Sequence, residues 1–347
     1  MIHNNKLRIS SIDGLRAISI LFVLIDHYIY FSGNNFLNPY FSFLINGKNG
    51  VDIFFIISGF LITTILVKEH LRDGQISLTT FFLRRAFRIL PALYFLLFIY
   101  FILSKSNVIH FSMQTLLNSI FLVSQLKGVR WENFHLWSLS VENIFYILLP
   151  LFLNRFKNIP YVKIFYSSII LLLILPFIRY YFYTQTNLST FNIFFRCEGL
   201  IFGVLIALIT LFVQPKIKFS HISLVFISTV VIIILINFIS SFNNSITLNY
   251  ILKQYSSILY VFVFALLFWC VINLKTGIIY SILNNSILTF IGIISYSLYL
   301  WQQLFFSRND IFHFDNIFFR LISLLLISIC SYYFIESPFS RLKTRIK

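Results

Sequence analysis

The segment SIDGLRAISILFVLIDHYIYF holds Asp13, Arg16, Asp26 and His27 within an otherwise apolar run. If it is helical, Arg16 and His27 return to within about 20° of one face, separated by a rise of roughly 16 Å. Asp13 lies about 40° from His27 on the same side and can reach Arg16 at i, i+3. Asp26 points about 100° away from His27. One face thus presents an Asp–Arg pair at one end and an imidazole at the other. Imidazole is the side chain best suited to exchanging a proton near neutral pH. Beside an acidic orienter it would serve as general base for a hydroxyl. The plainer reading makes Arg16 an orientation anchor and His27 an interfacial residue bonded to a neighbour.

Two further clusters carry chemistry. In FFLRRAFRILPALYF, Arg84 and Arg88 share a face at i, i+4, and Arg85 sits beside Arg84. Guanidinium forks match phosphate geometry, so the cluster suits a ligand with several phosphates, such as a nucleotide or coenzyme A; otherwise it is a snorkelling rim. No Walker glycine loop accompanies it, which argues against nucleotide hydrolysis. In FHLWSLSVENIFYILLP, Ser138 and Glu142 are i, i+4, and Glu142 enters an apolar span with no basic neighbour in its own helix. Such a carboxylate must be protonated or paired across helices. His135, just ahead of that span, reads as an exposed loop residue. Arg196 and Glu198 precede Gly199 and Gly203, a small-xxx-small pair that permits close helix packing. Tyr296, Tyr299 and Trp301 read as an interfacial belt or a tunnel lining. Glu336 falls where basic loops can pair with it.

These residues need a scaffold, and composition says which kind. Of 347 residues 59% are hydrophobic and 11% charged, with a net charge of +16. Soluble domains run near ~25% charged, and 44 Phe with 19 Tyr exclude a disordered chain. The sequence predicts an all-α, polytopic membrane protein in one domain, residues 1–347. Eleven apolar stretches occur, at 15–31, 50–67, 89–103, 111–126, 138–153, 164–182, 199–213, 222–240, 256–272, 288–306 and 317–335. None alternates as a membrane barrel strand must. Basic residues at both ends place both termini in the cytoplasm and require an even number of crossings. If 111–126 does not cross, seventeen Lys and Arg lie inside and seven outside; if it crosses, the split is even. The bias therefore predicts ten crossings, with most of the +16 explained as orientation rather than nucleic-acid binding. Cys197, Cys270 and Cys330 show no metal spacing, and no metal is expected.

In this order, the segments resemble acyltransferase family 3, integral membrane O-acyltransferases of bacterial surface polysaccharides. The matching pieces are Arg16 and His27 with ten residues between, GVDIFFIISGFLIT, the RRAFR cluster running into RILPALY, and HLWSLSVENIFYILLP. An Arg-led GLIFG segment, ISYSLYLW and FIESPF follow, so the likeness spans 13–339. The resemblance implies ten helices in the cytoplasmic (inner) membrane and an acyl group, usually acetyl, taken from cytoplasmic acetyl-CoA. The acceptor it implies is a hydroxyl of an extracytoplasmic glycan. Arg16 and His27 match the essential family pair, and Arg84, Arg85 and Arg88 match the cluster associated with the donor. Ser138 and Glu142 match the Trp-Ser-Leu segment, which places Trp137 and Ser138, with Tyr299, at the substrate. Some members carry a C-terminal esterase-like domain; the chain ends twelve residues after its last apolar stretch, which reads as the stand-alone form. One departure stands out: where the family commonly has Tyr-Leu-Trp-His, this chain has Gln302. An amide can hydrogen-bond but cannot carry a proton at neutral pH.

The resulting expectation has coenzyme A on Arg84, Arg85 and Arg88, its thioester arm passing Arg16 toward His27. His27 then acts as base or as acyl carrier, oriented by Asp26, Asp52 or Glu142. The rival reading is a transporter or flippase of an acyl or glycolipid substrate, using the same charges as a path. A scaffold in an export complex would not need them.

Overall fold

The computed structural model describes residues 10–32, 46–123, 131–185, 196–213, 224, 227–228, 231, 246–306 and 316–342. Every element among them is helical. The order is α1 (Ser10–Ser32), α2 (Gly47–Asp73), α3 (Leu78–Lys105), α4 (Met113–Ile120), α5 (Trp131–Phe134), α6 (Leu136–Leu153), α7 (Tyr161–Gln185) and α8 (Glu198–Leu208). Then come α9 (Ile246–Asn273), α10 (Ile278–Leu283), α11 (Ser286–Ile293), α12 (Ser295–Phe305), α13 (Ile317–Ser331) and α14 (Ser337–Leu342). π-helical turns extend α8 over Ile209–Val213 and join α13 to α14 over Tyr332–Glu336. Five helical stretches are long and apolar enough to span a bilayer, and a sixth is the bent pair α11–α12.

Ten of the eleven apolar runs fall on these helices, and 222–240 lies largely outside the described residues; one run stays short, as expected, and one is broken. The run 111–126 contains α4, whose eight residues rise only about 12 Å, far short of a hydrocarbon core near 30 Å. The run 288–306, read as one span, breaks at Ile294 and bends by 70°. The bend aims α12 across the interior, and α12 is buried over almost its whole length.

Close helix contacts hold the site-bearing elements. A Cβ added to Gly203 would lie 2.6 Å from the Phe60 nitrogen, and one at Gly199 would lie 2.7 Å from Phe55 Cβ. The small-xxx-small pair therefore seats α8 directly on α2. On the opposite side α2 approaches α1, where a Cβ at Gly50 would lie 2.8 Å from Val23 Cγ2. A Cβ at Gly292 of α11 would collide with the Asp13 carbonyl. α1 is thereby gripped between α2 and α11, which fixes the face bearing Arg16 and His27.

Candidate active site

α1 connects two cavities. The first takes in Arg16, Arg85, Arg88 and Glu142, with Ser58 and Tyr146 from α2 and α6. The space inside it that is open to solvent is about 100 Å3. An adjoining chamber shares Arg16, Arg88 and Tyr296 with it and adds Asp13 and Glu336. Together they form an arginine cavity. The second, a histidine cavity, is lined by Asp26, His27, Lys48, His135, Trp137 and Arg196, among others. The two have Val51 and Tyr299 in common.

In the arginine cavity the carboxylates are satisfied by hydroxyls. Tyr146 donates to Glu142 Oε1 at 2.5 Å and also bonds Ser58 at 2.5 Å; Ser297 donates to Glu336. Glu142, expected to be protonated or paired across helices, takes this hydrogen bond from its own helix at i+4, while Arg16 and Arg85 of other helices act on it through their charge. The link to α2 runs through Tyr146. Glu336 is buried and bonded to α12, not to a basic loop. Asp13 approaches Arg16 at 4.0 Å. Arg85 lies over the rings of Phe81 and Tyr146, 5.6 and 5.4 Å from their centres. Among the described residues neither Arg85 nor Arg88 is ion-paired. Arg85 and Arg88, at i, i+3, are the pair that shares this cavity; Arg84 is not part of its lining.

In the histidine cavity, His27 Nδ1 meets Gln302 Oε1 at 3.0 Å. The amide oxygen only accepts, so Nδ1 carries the hydrogen and Nε2 keeps its lone pair. The ring's hydrogen bond is to this amide, and Asp26 acts on it through its charge. Asp26 itself accepts from the Gly47 backbone N–H, at the N-terminus of α2. Asp52 faces Arg196 at 3.8 Å, and Glu142 belongs to the other cavity. Arg196 also lies 4.8 Å over the Trp137 ring, a cation–π contact. Behind it, buried Arg179 and Glu198 form an ion pair.

His135 is a correction. It does sit in a turn, between α5 and α6, but it is 1% exposed and sealed inside the structure, and its ring packs edge-on to Tyr299 at 5.5 Å. The spacing of His135, Ser138 and Glu142, at i, i+3 and i+7, was the available signal that all three face inward. The Tyr299 hydroxyl donates to the His135 carbonyl at 2.7 Å and shares a 2.7 Å bond with Ser138. Trp137, Ser138 and Tyr299 are therefore brought together where the cavities meet. Tyr296, Tyr299 and Gln302 succeed one another along α12, the first at the arginine cavity, the second at the junction, the third on His27. Tyr296 and Tyr299 line the passage, whereas Trp301 is buried core. Among the described residues no group of three His, Cys, Asp or Glu is placed to hold a metal ion.

Comparison with known proteins agrees with the chain-wide motif order. A family model described as an acyltransferase domain matches residues 9–336. One relative from Staphylococcus aureus strain COL, provisionally named an O-acetyltransferase, is 34% identical over 96% of this chain and 57% of its own length. O-acetyltransferase OatA of Staphylococcus aureus strain NCTC 8325 is 31% identical over 94% of this chain and 56% of its own. The chain spans little more than half the length of these relatives. No solved structure matches it. With the match running across nearly every described helix and both cavities, the chain belongs to acyltransferase family 3.

Proposed function

We propose that this protein is a membrane O-acetyltransferase that takes an acetyl group from cytoplasmic acetyl-CoA and delivers it to a hydroxyl of an extracytoplasmic glycan. The observation that carries the reading is α1 itself, with Arg16 in a cavity of unpaired arginines and His27 in a cavity of imidazoles. The roughly 16 Å between them is comparable to an extended pantetheine arm. Coenzyme A phosphates would sit on Arg85 and Arg88, with Arg84 at the cytoplasmic rim. The thioester passes Arg16 and Glu142 to the junction at Trp137, Ser138 and Tyr299. There the Nε2 lone pair of His27 meets the acyl carbon, with Asp13 steadying Arg16 and Asp26 shaping the far end. The O-acetyltransferase names of the relatives support the acetyl group.

The topology we propose has ten crossings of the cytoplasmic membrane and both termini inside. Beside the six spans already described it uses α1, the apolar helices Glu198–Val213 and Ser257–Asn273, and the segment 222–240, which lies largely outside the described residues. The loop charge bias supports it.

The test pairs two measurements. Purified protein given labelled acetyl-CoA must release coenzyme A, and a deletion strain must lose base-labile acetate from its surface glycans by mass spectrometry. Binding of acetyl-CoA without turnover would make the protein a carrier and end this reading.

A further inference from the structure

The histidine cavity holds a second imidazole, His135, which the scheme above does not use. Its burial is nearly complete, and neither ring nitrogen makes a hydrogen bond of ordinary geometry. The Leu300 backbone acts on the ring as a weak partner only. Buried polar atoms are paired in the great majority of cases, and an exception in a cavity wall calls for an explanation. The backbone, by contrast, is firmly held, since the His135 carbonyl accepts from Tyr299. A fixed main chain with an uncommitted ring is what a group reserved for a ligand looks like.

The neighbours define its task. The other titratable groups facing this cavity are His27, Asp26, Lys48, Arg196 and Tyr299. Asp26 is occupied by the Gly47 N–H. Lys48 donates to Ser257 at 2.9 Å, Arg196 is held by Trp137 and Asp52, and the Tyr299 proton is given to the His135 carbonyl. His27 is tied at Nδ1 to an amide that cannot take a proton. One nitrogen, His27 Nε2, is free to attack carbon, and a separate imidazole is free to accept a proton.

We propose that the two histidines divide the reaction, His27 carrying the acyl group and His135 acting as the base for the acceptor hydroxyl. This rests on the function proposed above. His27 Nε2 attacks the thioester carbonyl, the C–N bond forms, the C–S bond breaks, and coenzyme A leaves as thiolate. The acceptor oxygen then attacks the acyl carbon as its proton passes to a His135 nitrogen. The C–N bond breaks and its electron pair returns to Nε2. The proton on His135 is released and balances the one the thiolate takes up.

Hydroxylamine separates the two steps, because as a neutral amine it attacks acyl groups without a base to remove its proton first. The assay uses membranes containing the full chain and labelled acetyl-CoA, read as acetohydroxamate with hydroxylamine and as base-labile acetate on endogenous glycan without it. His135→Gln should lower glycan acetylation by at least about 100-fold, the scale of general-base catalysis, and leave acetohydroxamate formation within about 3-fold of wild type. His27→Ala should lose both. His135→Asn, with a shorter amide, gives a second reading should the Gln variant fail to insert. Glycan acetylation that survives either His135 variant overturns the proposal, as does equal loss of both products in a variant that still binds coenzyme A. Wild-type protein forming neither product would instead overturn the acetyltransferase reading itself.

Discussion

The two cavities on α1 differ in how their charges are left. At the Arg16 end, carboxylates are quieted by hydroxyls, Tyr146 on Glu142 and Ser297 on Glu336, and among the described residues neither Arg85, which stacks on Phe81 and Tyr146, nor Arg88 has an ion pair. At the His27 end the cations are engaged, Arg196 by Trp137 and Asp52 and Lys48 by Ser257, and the imidazoles keep lone pairs. Unpaired cations bind anions, and uncommitted imidazoles move protons and acyl groups. The same helix thus separates recognition from chemistry along its length.

The sharpest way to break that division is His27→Ala. Loss of an acid–base or covalent group of this kind costs about 10²–10⁴ in rate. We expect acetyl transfer to fall by about 10³-fold, with coenzyme A affinity within about 2-fold of wild type in a binding titration. A matching loss of donor affinity would mean the cavities are one site. Arg88→Ala is the reciprocal experiment. Removing one charge-assisted hydrogen bond costs about 1.5–3 kcal/mol, so KM for acetyl-CoA should rise about 10- to 100-fold while kcat changes little. Arg88 is the better choice than Arg85, whose stacking on Phe81 and Tyr146 mixes packing with binding.

Much of this was legible in the sequence, for reasons that also explain what was not. Apolar runs and the 3.6-residue period gave the all-helical class and put Arg16 and His27 on one face, because those depend on local geometry alone. The Gly199–Gly203 spacing announced a close helix contact for the same reason, although not that α2 is the partner. What failed depends on long-range contacts. His135 sits at the edge of an apolar run, in a turn as expected, and was read as exposed, but α12 folds over it through a bend at Ile294 that no proline marks. The hydrogen-bond partner of His27 is Gln302, 275 positions away, and no helical wheel reaches that far. The Tyr146 bond to Glu142 was local, at i+4, and so was within reach of the sequence.

Gln302→Ala tests whether the amide acts only by holding the His27 ring. A net hydrogen bond contributes about 0.5–1.5 kcal/mol, and here its loss also frees the tautomer. We expect kcat to fall about 10-fold with KM for acetyl-CoA unchanged, a smaller effect than either change above. Gln302→Glu is the informative partner. Its carboxylate still accepts from Nδ1–H and keeps the tautomer, so kcat should recover toward wild type. If Gln302→Ala instead raises KM for the donor, α12 transmits strain to the arginine cavity, and the separation along α1 is incomplete.

The smallest expected effect lies within the arginine cluster. By sequence Arg84, Arg85 and Arg88 are equivalent cations, and Arg84 with Arg88 looked like the natural pair at i, i+4. In the structure Arg85 and Arg88 line the cavity and Arg84 does not. Arg84→Ala should leave KM for acetyl-CoA within about 2-fold, since a charge outside the cavity lining acts on a ligand through intervening solvent and is screened within about 8–10 Å at physiological salt. Whatever shift it causes should vanish as salt is raised, whereas that of Arg88→Ala should persist. Were Arg84→Ala to match Arg88→Ala at high salt, the donor phosphates would have to sit at the rim, and the cavity walls would not be what recognises them.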